Sequence, residues 1–432
     1  MRLDPLTSLQ VLLFTTSCWC GWLRGRALAS GRYHPLNVIT VVHSWFSAAS
    51  VMMQWLWGVP NYEVFLHLRA VNDSHVTWIV YYMFSSILCL VFAGTAQYSD
   101  RTPTVKPTSN RARTRYNTGV RDRILLWIGL VSPVLCALFS PDSRIWTQYA
   151  VLLDLQPNAE FATFVNVLYW TTYIAILSSC GLLLAAQTGV AQAVPIGIFT
   201  FAALWFNGKR NIVILALVLV VLSLRIRGGI SRRTTYASFA VALVFFLGYS
   251  QWYQAEYRPF LSSFDTYYEM ARMDFTRDAD IRIALYAELE EAANPILEYR
   301  GQSLLFDTLF FIPRTMWEEK PKPYYFYITS TALDGPRIYR TWGITTTILS
   351  EAIANVGLAG LLLGPLFLIM IAVIGYRPEN PFLNMFTCII CTLFMSIHLA
   401  GFTVLWSAWC VFIFSSLWSR THARVTRWAE VH

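Results

Sequence analysis

Four places in the sequence bring together side chains that could do chemistry. The first, Asn207-Gly208-Lys209-Arg210-Asn211, is a polar interruption between two apolar runs. Two adjacent cations where a helix starts near Ile212 suit a phosphate. A helix N-terminus favours negative charge, and a guanidinium grips phosphate oxygens in pairs. Simple snorkelling at a membrane interface accounts for the same two side chains equally well. The second, Ile312-Pro313-Arg314-Thr315-Met316-Trp317-Glu318-Glu319-Lys320-Pro321-Lys322-Pro323, reads as a short helix opened by Pro313 and stopped by Pro321. On such a helix Arg314 and Trp317 share a face, and a guanidinium beside an indole can hold a phosphate and a sugar ring together. The plainer alternative is a surface helix with Arg314 paired to Glu318.

The third place is Glu351, just after Thr345-Thr346-Thr347, with Asn355 one turn further on the same side. An ionisable residue inside an apolar run is costly and is by default a functional candidate. The alternative leaves Glu351 at the water boundary, where it only favours the helix N-terminus. Gly357, Gly360 and Gly364 follow, and the last two have the spacing of close helix packing. The fourth is His398, alone at the outer end of an apolar run and as readily structural as functional.

Other chemistries leave no trace. G-x-x-x-x-G-K-[ST], H-E-x-x-H and G-x-S-x-G are absent. Asp278-Ala-Asp280 imitates the D-x-D of metal-dependent sugar transferases, but those use cytoplasmic nucleotide sugars, and this pair falls in an external segment. It reads as solvated helix surface. The eight cysteines all lie in apolar runs, and Cys388-Ile-Ile-Cys391 has no neighbouring histidine. Neither a structural disulfide nor a metal or redox role is expected.

The composition says what must position these residues. Hydrophobic residues make up 56% of the 432 and charged ones 13%, against about 25% charged in soluble domains. That excludes a soluble enzyme, a disordered chain and a disulfide scaffold, and predicts an all-α polytopic integral membrane protein. Apolar runs near 6–23, 36–57, 77–96, 124–140, 163–186, 192–206, 212–224, 235–251, 349–375, 382–397 and 402–418 predict about 11 transmembrane helices. Arg24 and Arg26 spoil a cleavage site after the first run, so it is expected to be retained. Connections on one side hold eighteen Lys+Arg, and the short connections on the other hold five. Cytoplasmic loops are the basic ones, which puts the N-terminus outside and the C-terminus inside. Orientation also explains the net charge of +8 without nucleic acid.

Residues 252–345 form one large external (periplasmic) loop with 10 Lys+Arg and 14 Asp+Glu, too long for an idle connection. Within it, 267–293 reads as a helix ending before Asn294-Pro295, and 303–311 as an apolar stretch lying on the bilayer surface. The chain thus divides into 1–251 with helices one to eight, the loop 252–345, and 346–432 with three more spans and a basic cytoplasmic tail. There is no internal repeat. All four chemical places fall on the outer side, where they could build one cavity.

The run Gly301-Gln302-Ser303, Ile312-Pro313-Arg314, Trp317 and Lys320-Pro321, followed by Thr347, Glu351, Asn355, Gly357 and Gly360, resembles the signature of Wzy-type O-antigen polymerases. These are the oligosaccharide repeat-unit polymerases of bacterial surface polysaccharides. In that family a similar I-P-R-x-x-W-x-x-K-P lies in a long external loop, and a G-E-x-x-x-N-x-G-x-x-G-like helix follows. Gly208-Lys209-Arg210 is similar to a short external G-x-R turn of the family, and Ser350 stands where Gly often precedes the Glu. The motifs lie in roughly 205–215 and 300–365, under a fifth of the chain.

The resemblance implies a GT-C-like glycosyltransferase architecture in the bacterial cytoplasmic (inner) membrane, with its active site facing the periplasm. It implies transfer of a growing glycan from undecaprenyl pyrophosphate to the non-reducing sugar of another lipid-linked unit. Such a transfer needs cations at the pyrophosphate and a base near the acceptor hydroxyl. Lys209, Arg210 and Arg314 fit the first need, with Lys320 or Lys322 assisting. Glu351 fits the second as base or acceptor-orienting group, with Asn355 beside it and Asp307, Asp334 or His398 as alternatives. Trp317 and Trp342 fit stacking on sugar rings. No metal and no other cofactor is required. The implied partners are undecaprenyl-pyrophosphate-linked oligosaccharides, membrane lipid, a chain-length regulator and a flippase.

Three other readings compete. An O-antigen ligase would use similar external arginines, and the Pro-Arg, Trp and Lys-Pro run favours the polymerase over it. A polysaccharide flippase or transporter would show related halves and short loops. A chain-length scaffold would have few spans and a long coiled coil.

Overall fold

Long apolar runs satisfy their own backbone polar groups as helices. The computed structural model describes residues 4–101, 119–155, 161–185, 190–226, 231–257, 263–291, 293–312, 314, 316–337, 343–377 and 380–416, and over these the protein is all-helical. The first ten helices are α1 Pro5–Ala29, α2 Pro35–Trp57, α3 His67–Asp73, α4 His75–Arg101, α5 Val120–Ala137, α6 Val151–Leu155, α7 Ala162–Leu184, α8 Val190–Asn207, α9 Arg210–Ile226 and α10 Arg232–Tyr257. The 252–345 segment supplies α11 Phe264–Phe275, α12 Asp278–Leu289, α13 Gln302–Thr308 and α14 Tyr324–Ala332. The chain continues with α15 Ile348–Val356, α16 Gly360–Gly375, α17 Pro381–Phe394 and α18 Thr403–Ser416.

Among the described residues, 5 helical segments are long and apolar enough to cross a membrane: Pro5–Ala29, Pro35–Trp57, His75–Ser99, Thr163–Leu184 and Ile348–Gly375. The apolar helices Gln192–Asn207, Leu215–Arg225, Pro381–Phe394 and Thr403–Ser416 are shorter.

Three local expectations need correction. The 349–375 run is not one straight helix. Gly357 takes φ +71, a conformation that ends α15, and a Cβ on Gly360 would lie 2.4 Å from the Ala352 backbone. Residues eight apart on a straight helix are separated by about 12 Å, so α15 and α16 pack against each other across a sharp break. Gly364 adds to the contact, with a would-be Cβ 3.1 Å from that of Ala352. The glycine spacing does serve close packing, but between α15 and α16.

The 267–293 stretch is two helices, broken at Thr276-Arg277. Ser263 opens α11 with a capping box to Thr266, which agrees with the preference of hydroxyl residues for that place. The break turns the start of α12 inward, so that Asp278 and Asp280 are 0% and 1% exposed. They are buried charges and not a solvated surface. Finally, the segment after α13 forms turns rather than a Pro313-to-Pro321 helix over its described residues, so the helical face shared by Arg314 and Trp317 does not form.

The helices of the 252–345 segment sit on the others through specific contacts. α12 packs on α4 and α15, α11 on α2, α13 on α15, and α14 on α3 and α12.

Candidate functional site

The site begins with how α15 is held. Thr347 caps it, accepting from the Ser350 N–H at 3.2 Å. The Asp280 carboxylate then takes three donors at that end: the Thr347 N–H at 2.7 Å, the Thr347 hydroxyl at 3.0 Å and the Ser350 hydroxyl at 2.7 Å. An anion at a helix N-terminus is favourable. Burial pushes the Asp280 carboxyl up, against these donors and nearby Arg277. The Tyr324 hydroxyl adds a bond to the Ser350 carbonyl at 3.2 Å. At the other end of α15, Arg300 forks onto Glu288 at 2.5 and 2.6 Å and reaches the Ala354 carbonyl at 3.0 Å.

This frame brings α13 against α15. Asn355 Oδ1 accepts from the Leu304 N–H at 3.4 Å, and its carbonyl accepts from the Gly301 N–H at 3.1 Å. Ser303 is the hinge of the contact. Its hydroxyl donates to Glu351 Oε1 at 2.7 Å and accepts from Asn355 Nδ2 at 2.7 Å. Asp307, one turn along α13, shares a side-chain hydrogen bond with Glu351. Burial, the Glu351 charge and that bond raise the Asp307 carboxyl well above its usual range. Two carboxyl groups in contact cannot both ionise cheaply, so the pair holds one proton between them. Glu351 is 2% exposed, so its carboxyl meets protein groups in the first turn of α15. Asp307 is half-buried and is the less buried member of the pair.

The cationic loop follows α13 directly. Arg314 is exposed, but its fork is spent on its own loop, donating to the Lys320 carbonyl at 2.8 Å and the Pro321 carbonyl at 2.9 Å. It is not paired with Glu318. Lys320 is buried, and its ammonium donates to the Phe310 and Ile312 carbonyls at 2.7 and 2.8 Å and lies 5.0 Å from the Phe306 ring. Both cations therefore close the loop, and they place it beside the residue that precedes Asp307. Lys322 differs: its ammonium has no hydrogen-bonding partner among the described residues and lies 5.9 Å from the Phe326 ring. Burial and the Arg314 charge lower the Lys322 amine. Trp317 is half-buried at the edge of this loop.

A second group lies on the other side of α14. Lys209, in the α8–α9 turn, sits 3.9 Å from the Tyr169 ring, and burial lowers its amine to about 8. It is close enough to act electrostatically on His398, which burial and this cation lower to about 3. The neutral imidazole lies against the Tyr325 ring, centroids 4.4 Å apart and planes tilted by 33°, and its buried Nδ1 has no hydrogen-bonding partner among the described residues.

The expected residues thus fall into two groups, joined by the adjacent Tyr324 and Tyr325. Glu351 meets Asp307 beside the 314–322 loop, with Asn355 joined to Glu351 through Ser303, and Lys209 acts electrostatically on His398. Asp334 follows α14 and acts on His67, apart from the pair. The Arg210 side chain and Trp342 lie outside the described residues. Sequence reasoning passed over Ser303, Asp280 and Tyr324 as parts of the site. The hydroxyls at Thr347 and Ser350, which need an acceptor when buried, were the available signal for Asp280. Comparison of the chain with protein-family models, curated proteins and solved structures finds no match.

Proposed function

We propose that this protein is a polymerase of bacterial surface polysaccharide, joining lipid-linked oligosaccharide repeat units at the outer face of the cytoplasmic membrane. On this reading the chain crosses the membrane about eleven times, in a GT-C-like arrangement. The observation that carries the proposal is the Asp307–Glu351 carboxyl pair, on α13 and α15, with the Arg314–Lys322 cationic loop beginning just after α13. Glycosyl transfer from a lipid pyrophosphate needs these two kinds of group near each other.

Asp307 is the catalytic residue in this proposal and Glu351 its positioning partner. Once the pair's proton has moved from Asp307 across their hydrogen bond to Glu351, Asp307 takes the proton of the acceptor hydroxyl. The acceptor oxygen forms a bond to the anomeric carbon as the bond from that carbon to the pyrophosphate oxygen breaks. The electron pair leaves with the pyrophosphate, and the extra proton returns to water when product departs. Lys322, and Lys209 with Arg210 at the α8–α9 turn, supply positive charge for the leaving group. Arg314 and Lys320 shape the loop that presents Lys322.

Purified protein given lipid-linked repeat units and EDTA should convert them to longer lipid-linked chains. A strict Mg²⁺ requirement would contradict the reading. In cells, Arg210→Ala or Asp307→Asn should leave the protein in the membrane and surface glycan as single repeats. Loss of single-repeat glycan as well would favour a ligase or flippase.

A further inference from the structure

A polar cleft of about 600 Å³ opens between the Val59-Pro60 turn and α3, lined by Asn61, Glu63, Arg69, Asn72 and Asp73. Its volume lies in the range of small-molecule sites, about 300–1,000 Å³, but it is a shallow groove, open over much of its surface. None of these residues belongs to the carboxyl pair or the cationic loop.

The rim of this cleft is held from beneath by two buried charges. Glu269 of α11, 0% exposed, accepts from the Val64 and Phe65 N–H groups at 3.1 and 2.6 Å. Arg282 of α12, also 0% exposed, donates to Asn72 Oδ1. Arg282 is itself fixed by Asp278 at 2.9 Å, which also binds Arg272 at 2.8 Å. On the rim, Arg69 Nε bridges the Asn61 and Tyr62 carbonyls at 2.9 and 3.1 Å. That bridge helps hold Tyr62 at φ 48, a conformation a bulky residue rarely adopts. Buried charges are an expensive way to stabilise a fold. Here they act together with Tyr62, Phe65, Leu68 and Val71, which anchor the same short connection in the core, and a preorganised rim is what a binding site requires.

The groups left free say what the cleft would take. Asn72 has its oxygen engaged by Arg282, which leaves its amide N–H groups for a ligand. Asn61 has the reverse arrangement, its Nδ2 donating to Asp265 at 3.2 Å and its oxygen left free. Glu63 and Asp73 accept, and Arg69 donates through its remaining N–H groups. An anion is disfavoured by two carboxylates against one guanidinium. A metal ion is disfavoured because no group of three His, Cys, Asp or Glu converges among the described residues. Mixed donors and acceptors with little net charge match a ligand rich in hydroxyls, each of which both gives and takes a hydrogen bond.

We propose that the 59–73 cleft is an oligosaccharide-binding subsite that holds sugar residues of the glycan away from the reacting bond. The identity of the glycan rests on the polymerase reading. Asp280, two residues before Arg282 on α12, holds the start of α15, so one helix links the cleft to the frame of the carboxyl pair. Sugar held here would keep a growing chain on the protein between additions.

The test uses full-length protein in detergent and, as probe, oligosaccharides released by mild acid from the producing strain's own surface glycan. Saturation-transfer NMR should show binding to wild type, and Glu63→Gln with Asp73→Asn should weaken it by about tenfold or more. Both residues are exposed, so the fold is kept, and Glu63→Lys provides a second variant that blocks the cleft. Both variants should shorten the chain-length distribution while leaving the first coupling of two repeat units intact. Unchanged binding and unchanged chain length in both would overturn the subsite. Asp307→Asn should bind the probe normally and couple nothing. Normal coupling by that variant would remove the polymerase mechanism without touching the binding result.

Discussion

The carboxyl of Asp307 on α13 shares its hydrogen bond with the carboxyl of Glu351 on α15, and Asp307 is the less buried of the two residues. Glu351 is turned inward, where Ser303 holds it. If Asp307 touches substrate, the two substitutions must differ in kind. Asp307→Asn should lower kcat by about a thousandfold or more, at the upper part of the range for general-base loss. Glu351→Gln removes the charge that helps hold Asp307 up. Its Asp307 should then titrate closer to an ordinary carboxyl, and the rising limb of the rate–pH profile should move toward acid with a lower maximum. A deep loss of kcat in Glu351→Gln, with Asp307→Asn itself near wild type, would assign the base to Glu351.

The same pair sets a pH dependence of stability. The raised Asp307 carboxyl keeps its proton in the folded protein at pH values where the unfolded chain, with a pKa near 3.8, has lost it. The unfolded state then binds fewer protons, so stability falls as pH rises above about 4 until folded Asp307 ionises. Thermal unfolding of purified protein at a series of pH values should show this decline, and Asp307→Asn should flatten it. An equally steep decline in the variant would place the titrating group elsewhere.

Ser303 acts only through Glu351 and Asn355. Replacing it with alanine leaves a buried carboxylate one donor short, and hydrogen bonds to charged groups are worth about 1.5–3 kcal/mol. Ser303→Ala should therefore lower kcat by roughly tenfold to a hundredfold, with little change in KM, and move the pH profile. Ser303→Thr keeps the hydroxyl and should recover part of the rate. Equal loss in both variants would mean that packing, not the hydrogen bond, is what matters.

How far the sequence could reach is clear from particular residues. Glu351, Asn355 and the Arg314–Lys322 run were legible because a charge in an apolar run and a cation-rich proline loop are local signals. That Asp307 meets Glu351 was not legible, because it depends on the register of α13 against α15, set by Gly301, Ser303 and Arg300 contacts made far along the chain. The break at Gly357 was hidden by hydropathy, which runs unbroken from Ile348 to Gly375. Asp278 and Asp280 misled for a related reason. A D-x-D on a helix looks solvated until its partners are known, and Arg272, Arg282, Thr347 and Ser350 come from different elements or another turn.

Asp278 separates stability from chemistry. Burial alone would raise its carboxyl, but Arg272 and Arg282 hold it well below the usual range. Breaking a buried ion pair by removing one partner costs about 3–5 kcal/mol. Asp278→Asn should lower the unfolding midpoint of the purified protein by several degrees and reduce its yield. At temperatures where the variant is folded, the pH profile of coupling should keep its wild-type midpoint. A displaced profile would bring Asp278 into the proton chemistry.

The last contrast lies within the cationic loop. Lys320 and Arg314 donate to carbonyls of their own segment, whereas the Lys322 ammonium has no such partner among the described residues. Lys320→Met leaves the Phe310 and Ile312 carbonyls without their donor, so it should lower thermal stability together with activity. Lys322→Ala should leave the unfolding midpoint within about a degree, as surface substitutions do. It should lower kcat/KM for the lipid pyrophosphate donor by about tenfold to a hundredfold, the worth of one charge-assisted contact. Lys322→Arg keeps the charge and should restore most of that loss. If Lys322→Ala works at the wild-type rate while Lys209→Met does not, the α8–α9 turn carries the leaving group, and the 314–322 loop is scaffold alone.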